Sequence, residues 1–255
     1  MAGAVLLALA AGRALAGEVA CRFEAGVVVI PASLAGIAGD YILDTGTLRT
    51  TLHDTRANAE GLTGSEATGA VRMAGLTLAA RPLAIADLDV RTWNLPTPVA
   101  GVIGADVLQD LVVDLTFQPC RVRLAQPTQA AAFRGTELPA SWTDGRAQVQ
   151  AVISDGARQL TGPFILATGA NAPIRIADDL AAVPGAGRPS ELYPQGVWLA
   201  RLPSLTLAGR TFTDVGSGLL PPEGDTAGVI GGPVLANFRL RFDFPARRLL
   251  IAPGR

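Results

Sequence analysis

Tyr41-Ile42-Leu43-Asp44-Thr45-Gly46-Thr47 decides the reading of this chain, because it returns in altered form as Pro163-Phe164-Ile165-Leu166-Ala167-Thr168-Gly169-Ala170. The two stretches lie 123 residues apart. A second block, Ala100-Gly101-Val102-Ile103-Gly104-Ala105-Asp106-Val107-Leu108, returns as Ala227-Gly228-Val229-Ile230-Gly231-Gly232-Pro233-Val234-Leu235 at an offset of 127. A third, Val113-Asp114-Leu115 followed by Arg121-Val122-Arg123-Leu124-Ala125, returns as Phe242-Asp243-Phe244 followed by Arg247-Arg248-Leu249-Leu250-Ile251-Ala252. Three blocks in one order at nearly constant spacing make the chain two copies of one unit. The copies are placed at residues 17–126 and 137–255, with a polar, Ala-rich linker over 127–136.

Each copy reads as β-rich. Val27 to Ile30, Tyr41 to Leu43, Leu76 to Leu78 and Leu83 to Ile85 are short apolar or alternating runs punctuated by Gly, Pro and Asp. The second copy repeats this with Ala147 to Ile153, Phe164 to Leu166, Trp198 to Leu202 and Leu205 to Leu207. A short helix is expected just after the Gly104 and Gly231 turns, and another over Ile176 to Ala182. Heptads and βαβ periodicity are absent. The expected class is all-β, a pair of β-barrel lobes with a few short helices.

Composition narrows the chemistry. The 255 residues are 49% hydrophobic and 17% charged, enough apolar material for a real core. With 21 basic and 22 acidic residues, nothing suggests a nucleic-acid partner or a polybasic membrane patch. Every basic residue is Arg, so P-loop, Schiff-base and Ser–Lys chemistry are excluded. His53 is the only histidine, which excludes a His-rich zinc site. A lone His is more often a packing or surface residue than a catalyst. Carboxylates, hydroxyls and backbone remain, and no metal or organic cofactor is implied.

Residues Ala4 to Ala11 form an uncharged apolar run, and Ala14-Leu15-Ala16 fits the small-x-small pattern before a signal-peptidase cut. Residues 1–16 are therefore expected to be a signal peptide, and the chain to be exported to a periplasm or beyond. The alternative is an apolar leader or a first strand. The run is too short to span a bilayer, and no membrane span is expected elsewhere. Cys21 and Cys120 are the only cysteines. An even count in an exported chain favours one disulfide between them; the alternative is two separate buried thiols.

Asp44-Thr45-Gly46 places a carboxylate at the end of an apolar strand. The Thr hydroxyl can lock neighbouring backbone, and Gly admits a close chain segment. Joined to Val102-Ile103-Gly104, and repeated, the block resembles the retropepsin-like and pepsin-like aspartic peptidases, most closely bacterial two-lobed members. The resemblance runs from about Arg22 to Pro253. It implies two acid-protease barrels about a pseudo-two-fold axis, with a peptide or protein substrate between them. In that family two loop carboxylates share a proton and activate one water as general base and general acid. By resemblance Asp44 is the first-lobe carboxylate, with Thr45 and Gly46 building its loop. Gly61 to Met73 would form a flap hairpin over the cleft, with Gly61, Gly64 and Gly69 giving it freedom.

The second loop departs from the pattern. Ala167 stands where the family has its second Asp, while Thr168 and Gly169 remain. An Ala introduced to silence an active parent would read the same way. Asp155, Asp178 and Asp179 are the nearest acids in sequence. Two functions stay open: an exported aspartic endopeptidase whose activity rests on Asp44, or a pseudopeptidase that binds extended peptides without cutting. The fused repeat makes a monomer the expected state. Asp114 and Asp243 read as turn or Arg-pairing residues, Asp106 as a helix-start residue, and Trp93, Trp142 and Trp198 as core or cleft wall.

Overall fold

Short strands joined by tight turns account for nearly all of the regular structure. The computed structural model describes residues 16–176, 190–192, 197–219 and 225–254. In the first half, strands run as β1 (Ala16–Ala20), β2 (Arg22–Glu24), β3 (Val27–Leu34), β4 (Ile37–Leu43), β5 (Thr51–His53), β6 (Glu66–Met73), β7 (Leu76–Ala86), β8 (Gly101–Ile103), β9 (Val112–Phe117) and β10 (Cys120–Ala125). Helices α1 (Asp54–Ala59), α2 (Asp89–Thr92) and α3 (Ala105–Leu108) interrupt them. The second half contributes β11 (Thr136–Leu138), β12 (Ala140–Thr143), β13 (Arg146–Ser154), β14 (Gln159–Ala167), β15 (Ile174–Ile176), β16 (Ser190–Leu192), β17 (Val197–Leu207), β18 (Arg210–Leu219), β19 (Gly228–Gly231), helix α4 (Gly232–Leu235), β20 (Phe238–Asp243) and β21 (Arg248–Pro253).

Pairing closes two six-stranded mixed barrels. The first runs β3-β4-β8-β5-β7-β6 and returns from β6 to β3. The second runs β13-β14-β19-β15-β18-β17 and returns from β17 to β13. The repeat is visible in the registers. β4 lies parallel to β8 with Leu43 opposite Ile103, and β14 lies parallel to β19 with Leu166 opposite Ile230. Each barrel adds a second parallel pair, β5 with β7 and β15 with β18. The anticipated short helices after Gly104 and Gly231 are α3 and α4.

A third sheet joins the halves in the order β1-β10-β9-β20-β21-β11, three strands from each. At its centre β9 and β20 run antiparallel, with Leu115 opposite Leu240 and Val113 opposite Phe242. Alternation sets the facing. Val122 and Leu124 of β10 are buried while Arg121 faces solvent, and Phe238, Leu240 and Phe242 of β20 are buried. One apolar core runs continuously from Val28 to Ile251 through both barrels. Asp114 receives two bonds from Arg241, Nε at 2.5 Å and Nη2 at 2.6 Å, across the central strand pair. Asp243 accepts the Ala246 N–H in a turn. Trp142 packs edge-on against Phe244.

Several expectations are corrected. Leu76 to Leu78 and Leu83 to Ile85 belong to one strand, β7, and Trp198 to Leu207 lies within one strand, β17. The expected flap hairpin over Gly61 to Met73 is not formed as a hairpin. Asp54–Ala59 takes up a helix, Gly61 to Ser65 is turn and bend, and residues 66–73 are one strand whose partner turn is at Ala74 and Gly75. Gly61 (φ +79°) and Gly64 (φ +109°) shape the turn, but Gly69 is packed on Ala35, whose Cβ would lie 2.5 Å from a Cβ added there. The helix expected over Ile176 to Ala182 lies outside the described residues, apart from Ile176, which ends β15. Residues 1–15 also lie outside them. No helix among the described residues is long and apolar enough to cross a membrane.

Cys21 and Cys120 form a disulfide across a sequence separation of 99. It ties the junction of β1 and β2 to the start of β10. Replacing both cysteines with Ser should lower unfolding free energy by about 2–5 kcal/mol, the usual cost of losing such a link. Urea denaturation with and without reductant measures it, and the reduced wild type should match the double variant.

Candidate functional site

The site begins where β4 and β14 end. Parallel pairing to β8 holds the chain straight up to Asp44, whose N–H donates to Ile103 O at 2.9 Å. Parallel pairing of β14 to β19 brings Ala167 to the same level in the second barrel, opposite Gly231. The two loops then grip one another. Thr45 Oγ1 donates to Leu166 O at 2.7 Å, and Thr168 Oγ1 donates to Leu43 O at 2.6 Å. Each hydroxyl also accepts the other threonine's N–H, at 3.2 and 3.3 Å. Both threonines are fully enclosed, so every polar group in this ring depends on the others.

Glycine is required at both turns. A Cβ on Gly169 would lie 2.6 Å from Asp44 Cβ and 2.7 Å from Asp44 Cγ. A Cβ on Gly46 would collide with Ala167 Cβ and lie 3.0 Å from its Cα. Asp44 therefore sits against the second loop, and Ala167 against the first. The sequence places a carboxylate on one side of this junction and a methyl group on the other.

Asp44 is 3% exposed, and its oxygens are occupied by its own chain. Oδ1 accepts the Gly46 N–H at 2.8 Å, and Oδ2 accepts the Thr47 hydroxyl at 2.8 Å. Arg91 Nη2 forms a short ion pair with the same Oδ2, and its Nη1 donates to Thr47 Oγ1 at 3.0 Å. No motif pointed to Arg91, which lies 47 residues from Asp44 on a one-turn helix.

α2 buries none of its own residues and is held from its flanks. Leu88 and Leu95 pack on a small cluster of Val27, Val29, Ile42, Val99 and Val102 on the outer face of β3 and β4. His53 Nε2 bonds Asp89 at 3.1 Å, and Nδ1 bonds Asp54 at 3.0 Å. His53, Asp54 and Asp87 offer potential ligand atoms within 4.8 Å of one another. Both ring nitrogens of His53 are already engaged with carboxylates, so the cluster serves here to anchor α2. Asp106 does more than start a helix: it accepts the Thr50 hydroxyl at 2.6 Å and the Thr50 N–H at 2.9 Å, bracing the end of the Asp44 loop. Its counterpart, Pro233, has no such capacity.

A second arginine faces the site. Arg175, on β15, donates from Nη2 to Asn171 Oδ1 at 3.0 Å, and its buried Nε has no partner. Burial pulls this guanidinium below its ordinary pKa, repulsion from Arg91 adds to that, and attraction to Asp44 opposes it. Asp155, one of the acids nearest Ala167 in sequence, is spent on its own turn, where it accepts N–H bonds from Ala157 and Arg158. Asp178 and Asp179 lie outside the described residues. Leu48, Val90 and Trp93 are the exposed large apolar side chains among the described residues, and all three flank the Asp44–Arg91 pair in sequence.

Comparison with known proteins supports the architecture. The aspartic proteinase from Irpex lacteus superposes with a TM-score of 0.56 at 15% identity, covering 94% of this chain and 97% of that one. At that identity the match establishes the fold: two closed barrels of the aspartic proteinase type. No family model matches the sequence. No curated protein matches it either.

The reciprocal grip has a measurable signature. Thr45→Val or Thr168→Val removes one donor and leaves a buried N–H and carbonyl unpaired. Each should cost about 1–3 kcal/mol by denaturant unfolding. The double variant should lose less than the sum, because the first change already breaks the ring.

Proposed function

We propose that this chain is an exported peptide-binding protein on the aspartic peptidase scaffold, which seats an extended peptide between its lobes and does not hydrolyse it. The observation that carries this reading is the pairing of Asp44 with Ala167 across the junction, with Asp44 tied to Arg91. Hydrolysis by this scaffold requires one group to deprotonate water and another to protonate the scissile carbonyl oxygen. Loss of one positioned acid–base group costs about 10²–10⁴-fold, and more when the two act as a unit. Ala167 removes one group, and Arg91 occupies the oxygen of Asp44 with which water would be held. The threonine ring that shapes the cleft floor is intact, which favours a retained binding geometry.

Leu48, Val90 and Trp93 offer apolar contacts for the side chains of such a peptide, whose backbone would bond by strand addition. The Gly61 to Ser65 turn is the proposed covering element in place of the expected flap. The Cys21–Cys120 disulfide supports an oxidising compartment, and with it export of the chain. Hydrolysis resting on Asp44 is the competing reading.

Peptide hydrolysis across acidic to neutral pH separates the two. The wild-type chain should show no pepstatin-sensitive cleavage. Ala167→Asp should restore little, because Arg91 stays bonded to the oxygen of Asp44 with which water would be held. Ala167→Asp combined with Arg91→Leu should exceed Ala167→Asp by about 10²-fold. Wild-type cleavage that Asp44→Asn abolishes would overturn the proposal.

A further inference from the structure

The arginines at the junction outnumber the acids. Arg91 and Arg175 both act on one carboxylate, Asp44, and only Arg91 is bonded to it. Arg175 has a single hydrogen bond, to a neutral amide, for the five N–H donors of its guanidinium. Its Nε is shut off from solvent with nothing to bond. Buried cations are normally paired, and an unpaired one is costly to keep. Arg241, Arg81 and Arg91 are bonded to acids: Asp114, Asp110 and Asp44. Arg175 is bonded only to Asn171, and it follows closely in the chain on the loop where the second-lobe carboxylate is missing.

The position is also built. β15 follows the Ala167–Gly169 loop within a few residues and pairs with both β18 and β19, so Arg175 is held on a strand and not on a free loop. Ile174 and Ile176 on either side of it are fully buried, which fixes the strand's facing and turns Arg175 to the opposite side. Asn171, which orients the guanidinium, lines a cavity of about 530 Å³ that reaches Asn94, just beyond α2 in the first lobe. The cavity therefore opens beside the arginine's anchor, with residues of both lobes in its wall.

We propose that Arg175, assisted by Arg91, forms a carboxylate-recognition subsite, so that the peptide held at the junction is one carrying a carboxylate beside Ala167. This deepens the peptide-binding reading and rests on it. The guanidinium fork of Arg175 bonds the ligand carboxylate through the donors left free by Asn171. The ligand then supplies the negative charge that Ala167 lacks. The same chemistry has two sources, an acidic side chain within the peptide or a free C-terminus.

Fluorescence anisotropy with purified full chain and labelled apolar peptides tests this. Three peptides are needed: one with a central Glu and blocked ends, its Gln counterpart, and the Gln peptide with a free C-terminal carboxylate. The Glu peptide should bind the wild type about 10–100-fold more tightly than the blocked Gln peptide, the range expected for a charge-assisted pair. Tighter binding of the free-ended peptide instead would assign the carboxylate to a chain terminus. Arg175→Gln should bring the Glu-to-Gln affinity ratio close to one, and Arg175→Lys should keep part of it. Arg175→Leu should raise the Tm of the unliganded chain, since it removes a half-buried charge with no acid bonded to it. Equal binding of all three peptides to the wild type, or a ratio that survives Arg175→Gln, would overturn the subsite while leaving peptide binding in place. Failure of every peptide to bind would overturn both readings.

Discussion

Everything at the junction depends on two threonine hydroxyls that each serve the opposite loop. Thr45 and Thr168 exchange side-chain and backbone hydrogen bonds across the pseudo-two-fold axis, and the ring holds no solvent-exposed member. Such a ring fixes distance as well as energy. It sets how closely the Asp44 and Ala167 loops approach, and so forces Gly at 46 and 169, where any side chain would meet the other loop. The long central sheet supports the same axis from below, with β9 and β20 meeting at its middle. Symmetry of this kind is a property of backbone, and the backbone has kept it.

The side chains around the axis have not. The first lobe places a carboxylate, a bracing Asp106 and a one-turn helix with Arg91 at the site. The second lobe places a methyl group, Pro233 and a strand-borne Arg175. Electrostatically the junction holds one acid among arginines.

How much of this the sequence disclosed follows from what repeats and what does not. The paired blocks located the two loops at Asp44 and Ala167, the turns before α3 and α4, and Asp114 as a turn or Arg-pairing residue, because these positions recur in both copies. The cysteine pair was expected from an even count in a chain read as exported. Arg91, Arg175 and the His53–Asp89 anchor were not. They lie outside the repeated blocks, meet partners 36 to 47 residues away or across the lobes, and sit among unremarkable loop and strand residues. The flap hairpin failed for a related reason. It was carried over from a resemblance, whereas the chain runs as strand through Glu66–Met73 and turns only at Ala74 and Gly75.

The shared sheet also determines what each half could do alone. Its outer strands, β1 and β11, are five and three residues long, and each carries a charge paired to its neighbour: Glu18 with Arg121, and Glu137 with Arg248. Short charged edges resist adding a foreign strand. Its inner strands, β9 and β20, are six residues each and rich in alternating apolar side chains. A lobe produced without its partner would present one of these as a long open edge with its hydrogen bonds unmet. Such a half would pair with another copy of itself or aggregate, so the two copies of the repeat, though alike in plan, are bound to a single chain's fate.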